Sequence, residues 1–327
     1  MKIPPKIQVA NTPTPIYPLK RLNPDPCWSN LYIKRDDFTG FEMGGNKVRK
    51  FEHFLWDAKQ QGAAVLITCG DLQSNHARAA ASLAAQYGLR CHLVLSGTET
   101  EPDGNYFYDR LFGAGITLLP PEVYEAERDR TMNELAQTYR NAGIIPYIMP
   151  TGGSNGLGMF GYVEAYLEIV RQERESGLTF DCICVTDGSG STYAGLYFAN
   201  EYFGGGKHIV GINVTGGTNS YKKRIGILDE GAAIAGTCAV AADNMHLIFD
   251  YLGEGYGKAS QELLDFISLT AQKTGIIVDP VYVGKGLMGT ISEISGHNCL
   301  LKGNVLFIHT GGQIGLFPFR NRFYFAE

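Results

Sequence analysis

The sequence is poor in the features that mark several functional classes. No run in its 327 residues approaches the ~18 consecutive apolar residues of a membrane span. It has no Lys/Arg-rich run or basic arm, and its net charge is only -5, so no nucleic-acid partner is expected. Its seven cysteines are odd in number and lack both zinc-ligand spacing and a disulfide framework. That usage points to a reducing cytoplasm and to no metal. Cys182 and Cys184, two apart on a predicted strand, are expected on opposite faces. The opening stretch MKIPPKIQVANTPTPIYPLKRL has neither an apolar segment nor a small-residue cleavage site, and no secretory signal is expected. Solenoid repeats and low-complexity segments are absent.

What is present describes an ordinary globular chain, 44% hydrophobic and 19% charged, long enough for one large domain or two smaller ones. Glycine is abundant at 41 residues, which suggests tight turns and close backbone approaches to something bound. The first 30 or so residues are proline-rich and read as an irregular strap. Thereafter strands and helices alternate. Strands are predicted at 31–34, 64–68, 91–95, 116–119, 144–149, 182–186, 209–214 and 305–308. Helices are predicted after Lys47, at about 75–87, around and including 109–113, and at about 123–140, 157–173, 192–202, 220–235 and 259–274, with a last one opening near Gly286. This alternation implies an α/β fold with twisted, mainly parallel sheets covered on both faces.

Within that pattern, Met43–Lys50 holds an oddly placed cation. Two glycines and an asparagine deliver Lys47 to the first turn of a helix, whose amino end already carries a positive partial charge. Arg49 and Lys50 crowd the same turn. Such surroundings favour the neutral amine, a nucleophile for carbonyl carbon. The plain alternative is a solvated lysine on an amphipathic helix.

Three strand-to-helix junctions supply partners. Gly70–His76 follows a strand and opens a helix, a usual ligand position in α/β sheets. Either Ser74 or Asn75 is expected to cap that helix, and His76 reads as structural. At Asp187–Thr192, backbone amides and hydroxyls at a helix start form a phosphate cradle. Tyr193 stands where a dinucleotide fingerprint needs its third glycine, and no Walker lysine follows. Gly152–Gly156 matches the hydrolase elbow G-x-S-x-G, which makes Ser154, with Asp250 and His297 or His309, a rival serine-hydrolase reading. A lysine, a phosphate cradle and the polar strand end His309–Gly312 together suggest pyridoxal phosphate. Lys285, between two glycines, competes with Lys47 for its aldehyde.

Taken together, these segments resemble the D-cysteine desulfhydrase and 1-aminocyclopropane-1-carboxylate deaminase family of fold type II pyridoxal-phosphate enzymes. The matching pieces are GGNKVRKFE at 44–52, QSNHAR at 73–78, GGSNGLGMFGYVEA at 152–165, GSGSTYAGL at 188–196, GYG at 255–257, DPVYVGKGLMG at 279–289 and FIHTGG at 307–312. The resemblance implies two α/β domains, a large one from 1–44 plus 161–327 and a small one from 45–160, with the cofactor between them. It implies that Lys47 holds the cofactor, that Asn75 meets its ring hydroxyl, and that Thr310 meets its ring nitrogen. Gly188, Ser189, Gly190, Ser191 and Thr192 would hold the phosphate, Ser74 the substrate carboxylate, and Tyr256 and Tyr282 the substrate side. A small amino acid is the implied substrate, in a cytoplasmic homodimer. The resemblance leans to the desulfhydrases, because Val283 stands where the deaminases have a glutamate. Val283, Gly255–Lys258 and Gln313–Ile314 depart from the usual desulfhydrase residues and are expected around the substrate.

Overall fold

The computed structural model describes all residues except 41, 43, 218 and 325–327, so Met43 of the Met43–Lys50 stretch lies outside the described residues. Ten strands are described: β1 Ile16–Pro18, β2 Ser29–Lys34, β3 Val65–Asp71, β4 Arg90–Ser96, β5 Gly115–Leu119, β6 Pro146–Ile148, β7 Cys182–Asp187, β8 His208–Asn213, β9 His246–Ile248 and β10 Gly303–Ile308. The helices are α1 Asn46–Gln60, α2 Asn75–Gln86, α3 Gly104–Leu111, α4 Pro121–Asn141, α5 Phe160–Ser176, α6 Ser191–Tyr202, α7 Ser220–Ala235, α8 Gln261–Thr274 and α9 Val283–Ser295. One sheet has the order β1-β2-β10-β7-β8-β9 and the other β5-β4-β3-β6. All pairings are parallel except that of β1 with β2.

The sequence dictates this layering. β7 is buried at every position, and β3 at all but its last, as strands covered on both faces by helices must be. Apolar clusters fill both sides of each sheet. Helix ends follow local chemistry. Ser74 caps α2 by accepting from Ala77 N, Ser260 caps α8 in the same way, and Pro121 occupies the first position of α4.

Several expectations need correction. The proline-rich strap contains β1, an edge strand where Pro18 needs no ladder donor. β9 carries too short a pattern to be read from sequence. The helix expected at residue 157 begins at Phe160, because Asn155 Oδ1 accepts from Gly158 N and holds a local turn. The helix expected to include 109–113 starts where the Asp103 side chain caps Gly104 and ends at Leu111, two residues short of Gly113. α9 opens at Val283, three residues before Gly286, because the Asp279 carboxylate accepts from Val281, Tyr282 and Val283 N at 2.8–2.9 Å. Cys182 and Cys184 lie on one face, as positions two apart on a strand do, with sulfurs 3.6 Å apart.

A buried ionic cluster ties α1 to its surroundings. Arg49 meets Asp36 and Glu168 at 2.9 Å, Lys34 meets Glu168 at 2.6 Å, and Tyr162 donates to Asp36 at 2.6 Å. Two cations face two carboxylates. Burial pushes the Asp36 carboxyl upward, but Arg49 and Lys34 outweigh it and hold the group at about 2. Removing one member leaves uncompensated buried charge, a loss of about 3–5 kcal/mol. Glu168→Ala is therefore expected to lower the unfolding free energy by that amount, read as a fall in the urea midpoint. A midpoint within error of the parent would show that the cluster contributes little.

Candidate active site

The carboxyl ends of β3 and β6 in one sheet face those of β7 and β10 in the other. Between them lies a cavity of about 590 Å³, lined among others by Lys47, Ser74, Asn75, Gly188, Ser189, Gly190, Thr192, Tyr256, Tyr282 and Thr310. Of the residues that the resemblance assigns to the cofactor or to catalysis, Ser191 alone is absent from this lining. It is fully buried beneath the cradle and donates to Gly153 O at 3.1 Å.

Lys47 enters the cavity from the second position of α1. Gly45, at φ 109°, precedes that helix, and a Cβ there would run into the Thr310 carbonyl oxygen. Asn46 N donates to the same oxygen at 3.0 Å, so the helix start is docked onto the end of β10. Lys47 Nζ donates to Gly152 O at 3.1 Å. Burial is the main cause that brings its pKa down to about 8; the contact with Lys50 opposes it, and the charge of Lys223 adds a smaller lowering. Arg49, expected to crowd the amine, turns away into the ionic cluster. Lys50 stays close, with Nζ 3.4 Å from Gly152 O, and burial followed by the charge of Lys47 drives its own proton affinity down.

The cradle is built at the start of α6. Gly190, at φ 111°, precedes the helix without a side-chain cap, leaving backbone donors turned to the cavity. Beneath it Arg224 bonds Asp187 Oδ2 at 2.5 Å and Gly188 O at 2.7 Å, which fixes the loop from below. Asn46 Nδ2 donates to Thr192 Oγ1 at 3.0 Å. Ser154 Oγ lies 2.5 Å from Ser189 Oγ and 3.0 Å from Ser191 Oγ, so it belongs to the cradle's scaffold. Among the described residues no triad surrounds it. His309 is fully buried and bonds Ile277 O, whereas His297 is at the surface against Asp25. The described residues do not form the serine-hydrolase geometry.

On the β3 side, Asn105 Nδ2 donates to Asn75 Oδ1 at 2.9 Å, and Arg78 Nε holds Asn105 Oδ1 at 2.7 Å. Asn75 Oδ1 is thereby occupied, and its Nδ2 is left free to donate. His76 bonds Thr68 at 2.7 Å and rests on Phe51, in keeping with a structural role. Lys285 donates to Leu252 O and Gly255 O at 2.8 Å and does not line the cavity, so it anchors the loop that carries Tyr256. Val283, expected around the substrate, is fully buried in the apolar core instead. Asp71, Asp279 and Lys223 were not singled out from sequence. Asp71 was legible only as part of a strand end, and Asp279 as a turn residue before proline.

The residues fit a phosphorylated aldehyde. A Cβ at Gly152 would fall 2.5 Å from Ser189 Oγ and 3.6 Å from Lys47 Nζ, so glycine keeps open the space between amine and cradle. Neutral donors and the nearby Lys50 and Lys223 suit a phosphate at one end, and Asn75 Nδ2 suits a ring oxygen.

Comparisons with known proteins agree. Residues 7–311 match the family described as pyridoxal-phosphate dependent enzyme. The D-cysteine desulfhydrase of Salmonella typhi is 38% identical over 323 residues, 96% of each chain, and that of Salmonella newport (strain SL254) is equally similar. The crystal structure of an ACC deaminase homologue superposes with a TM-score of 0.89 at 34% identity, covering 98% of this chain and 95% of that one. An O-ureido-L-serine synthase shares the fold at a TM-score of 0.68 and 17% identity, over 98% and 95% of the two chains. Matched along nearly its whole length in both sequence and fold, the chain belongs to the family of pyridoxal-phosphate dependent enzymes.

Proposed function

We propose that this enzyme is a lyase that carries out α,β-elimination on a small amino acid, with D-cysteine converted to pyruvate, sulfide and ammonia. The observation that carries the reading is Lys47: an amine with its pKa lowered to about 8, between a phosphate cradle and a pair of cavity tyrosines. Bound pyridoxal phosphate supplies an electron sink for the substrate's α-carbon. Lys47 holds the cofactor at rest and, once freed, takes the α-proton as general base. Gly188, Ser189, Gly190 and Thr192 hold the phosphate, with Ser191 fixing their loop from beneath. Asn75 donates to the ring hydroxyl, Ser74 receives the substrate carboxylate, and Tyr256 and Tyr282 bound the substrate end. Thr310 is neutral where it would meet the ring nitrogen. This weakens the sink, which suits expulsion of a β-leaving group better than the opening of a cyclopropane.

The solved ACC deaminase homologue favours a second reading, 1-aminocyclopropane-1-carboxylate deamination. Under either reading we take the small domain as 45–160, the large domain as 1–44 plus 161–327, and the working form as a cytoplasmic homodimer.

The purified protein with added pyridoxal phosphate is expected to show a visible absorbance band that borohydride bleaches and Lys47→Ala lacks. A colourless protein that takes up no cofactor overturns the reading. Because only the neutral amine captures an aldehyde, the rate of cofactor uptake by stripped protein should rise as pH climbs through about 8 and flatten above it. A rate still climbing towards the ordinary lysine value of 10.5 would contradict this. Sulfide and pyruvate from D-cysteine are expected, and 2-oxobutyrate from the cyclopropane substrate identifies the second reading. Ser154→Ala should weaken cofactor binding, and the parent should take no label from a serine-directed phosphonate. Labelling that Ser154→Ala abolishes would restore the hydrolase.

A further inference from the structure

At one end of the cavity a line of three groups crosses from one sheet to the other. Asp71 is the last residue of β3, Tyr256 lies on the loop before α8, and Tyr282 immediately precedes α9. All three line the cavity. Tyr256 Oη lies 2.8 Å from Asp71 Oδ2 and 2.5 Å from Tyr282 Oη. An ionised carboxylate only accepts, and each phenol has one proton to give. Tyr256 therefore spends its proton on Asp71, and the proton between the two tyrosines comes from Tyr282. With that proton committed, Tyr282 meets the cavity through its lone pairs alone.

We propose that Asp71 is a positioning residue that fixes the direction of this hydrogen-bond chain, so that Tyr282 faces the substrate as an acceptor and not as a donor. A proton arriving at Tyr282 Oη sends that residue's own proton to Tyr256 Oη. Tyr256 in turn passes its proton to the carboxylate, so the net change is one proton gained by Asp71. The substrate's identity rests on the elimination reading, but the direction of the chain does not.

Each member is held separately. Asp71 Oδ1 accepts from Gln73 N at 2.7 Å, which aims Oδ2 across the cavity. Lys285 pins the loop before Tyr256, and Asp279 accepts from Tyr282 N at 2.8 Å. Among the described residues, only the link to Asp71 orients the hydroxyls. The charged groups around the pair are Asp71 on β3, Asp279 before α9, and Lys285 with Glu254 about the loop. Tyr256 is 42% exposed as a residue, but desolvation of its hydroxyl on the cavity side, then the neighbouring Tyr282 and Asp71, pushes that hydroxyl well above its ordinary range. Burial and then Asp71 push Tyr282 in the same direction. Both keep their protons at neutral pH, as a defined chain requires.

The test compares the cofactor-loaded parent with Asp71→Ala, Asp71→Asn, Tyr256→Phe and the double variant Asp71→Ala/Tyr256→Phe. Readouts are kcat and KM across pH, and tyrosine ionisation by alkaline ultraviolet titration. Asp71→Ala is expected to lose roughly ten- to a hundredfold in kcat with little change in KM, the scale of a misplaced catalytic group. Because the lost anion no longer raises the hydroxyls, tyrosine ionisation and the alkaline limb of activity should both move to lower pH. Asp71→Asn keeps the size but not the obligatory acceptor, and should share the loss and the shift. The Asp71 change should add nothing to Tyr256→Phe. Asp71→Asn behaving as the parent, an unmoved tyrosine titration, or additive losses in the double variant would overturn the proposal. If Asp71→Ala fails to fold, Asp71→Asn carries the same comparison. The visible cofactor band reports the elimination reading separately, and the tyrosine titration decides the chain even if no tested substrate turns over.

Discussion

The contact on which the rest of the site depends is a backbone approach. α1 begins against the carbonyl of Thr310, so closely that only glycine fits at position 45, and Asn46 N bonds that carbonyl. This one contact puts the lysine of one chain segment beside the strand end of another some 260 residues later. The Arg49, Asp36, Glu168 and Lys34 cluster then secures the next turn of the helix from behind. A buried cluster of this kind contributes little net energy compared with an apolar replacement. Its value lies in allowing a single orientation of α1, and therefore a single direction for Lys47.

Charge is distributed in the cavity according to the same division of labour. The buried Asp187 carboxylate is matched by Arg224, so its charge is spent on holding the loop. What reaches the phosphate end is backbone N–H, hydroxyl and Lys223, a set that attracts an anion. Elsewhere in the lining the Asp71 carboxylate and the two tyrosines make an acceptor-rich wall. Lys47 stands in this cavity with its own charge made costly by burial.

Much of this was legible in the sequence, and the reason is local. Lys47, the glycine-rich start of α6 and the polar ends of β3 and β10 each lie at a strand-to-helix junction, and such junctions announce themselves in a few consecutive residues. The relations that were missed are non-local. Nothing in Asp71 says that it will meet Tyr256 across 185 positions. Ser154 matches a hydrolase motif because that motif is short, and only the packing reveals it as a brace for Ser189 and Ser191. Lys285 shares the glycine-flanked context of a reactive lysine, yet α9 turns it onto the carbonyls of Leu252 and Gly255. Val283 follows a cavity residue by one position, and helical geometry alone carries it into the core. β1 and β9, at three residues each, are set by pairing with neighbours and not by their own pattern.

The central claim is that Lys47, and no other amine in or near the cavity, bonds the cofactor's aldehyde. Borohydride reduction of the loaded protein, proteolysis and mass mapping of the pyridoxyl group test it most directly. Stoichiometric label on the peptide that carries Lys47 is the expected result. Label on Lys50, Lys223 or Lys285 in its place, or no incorporation at all, would contradict it.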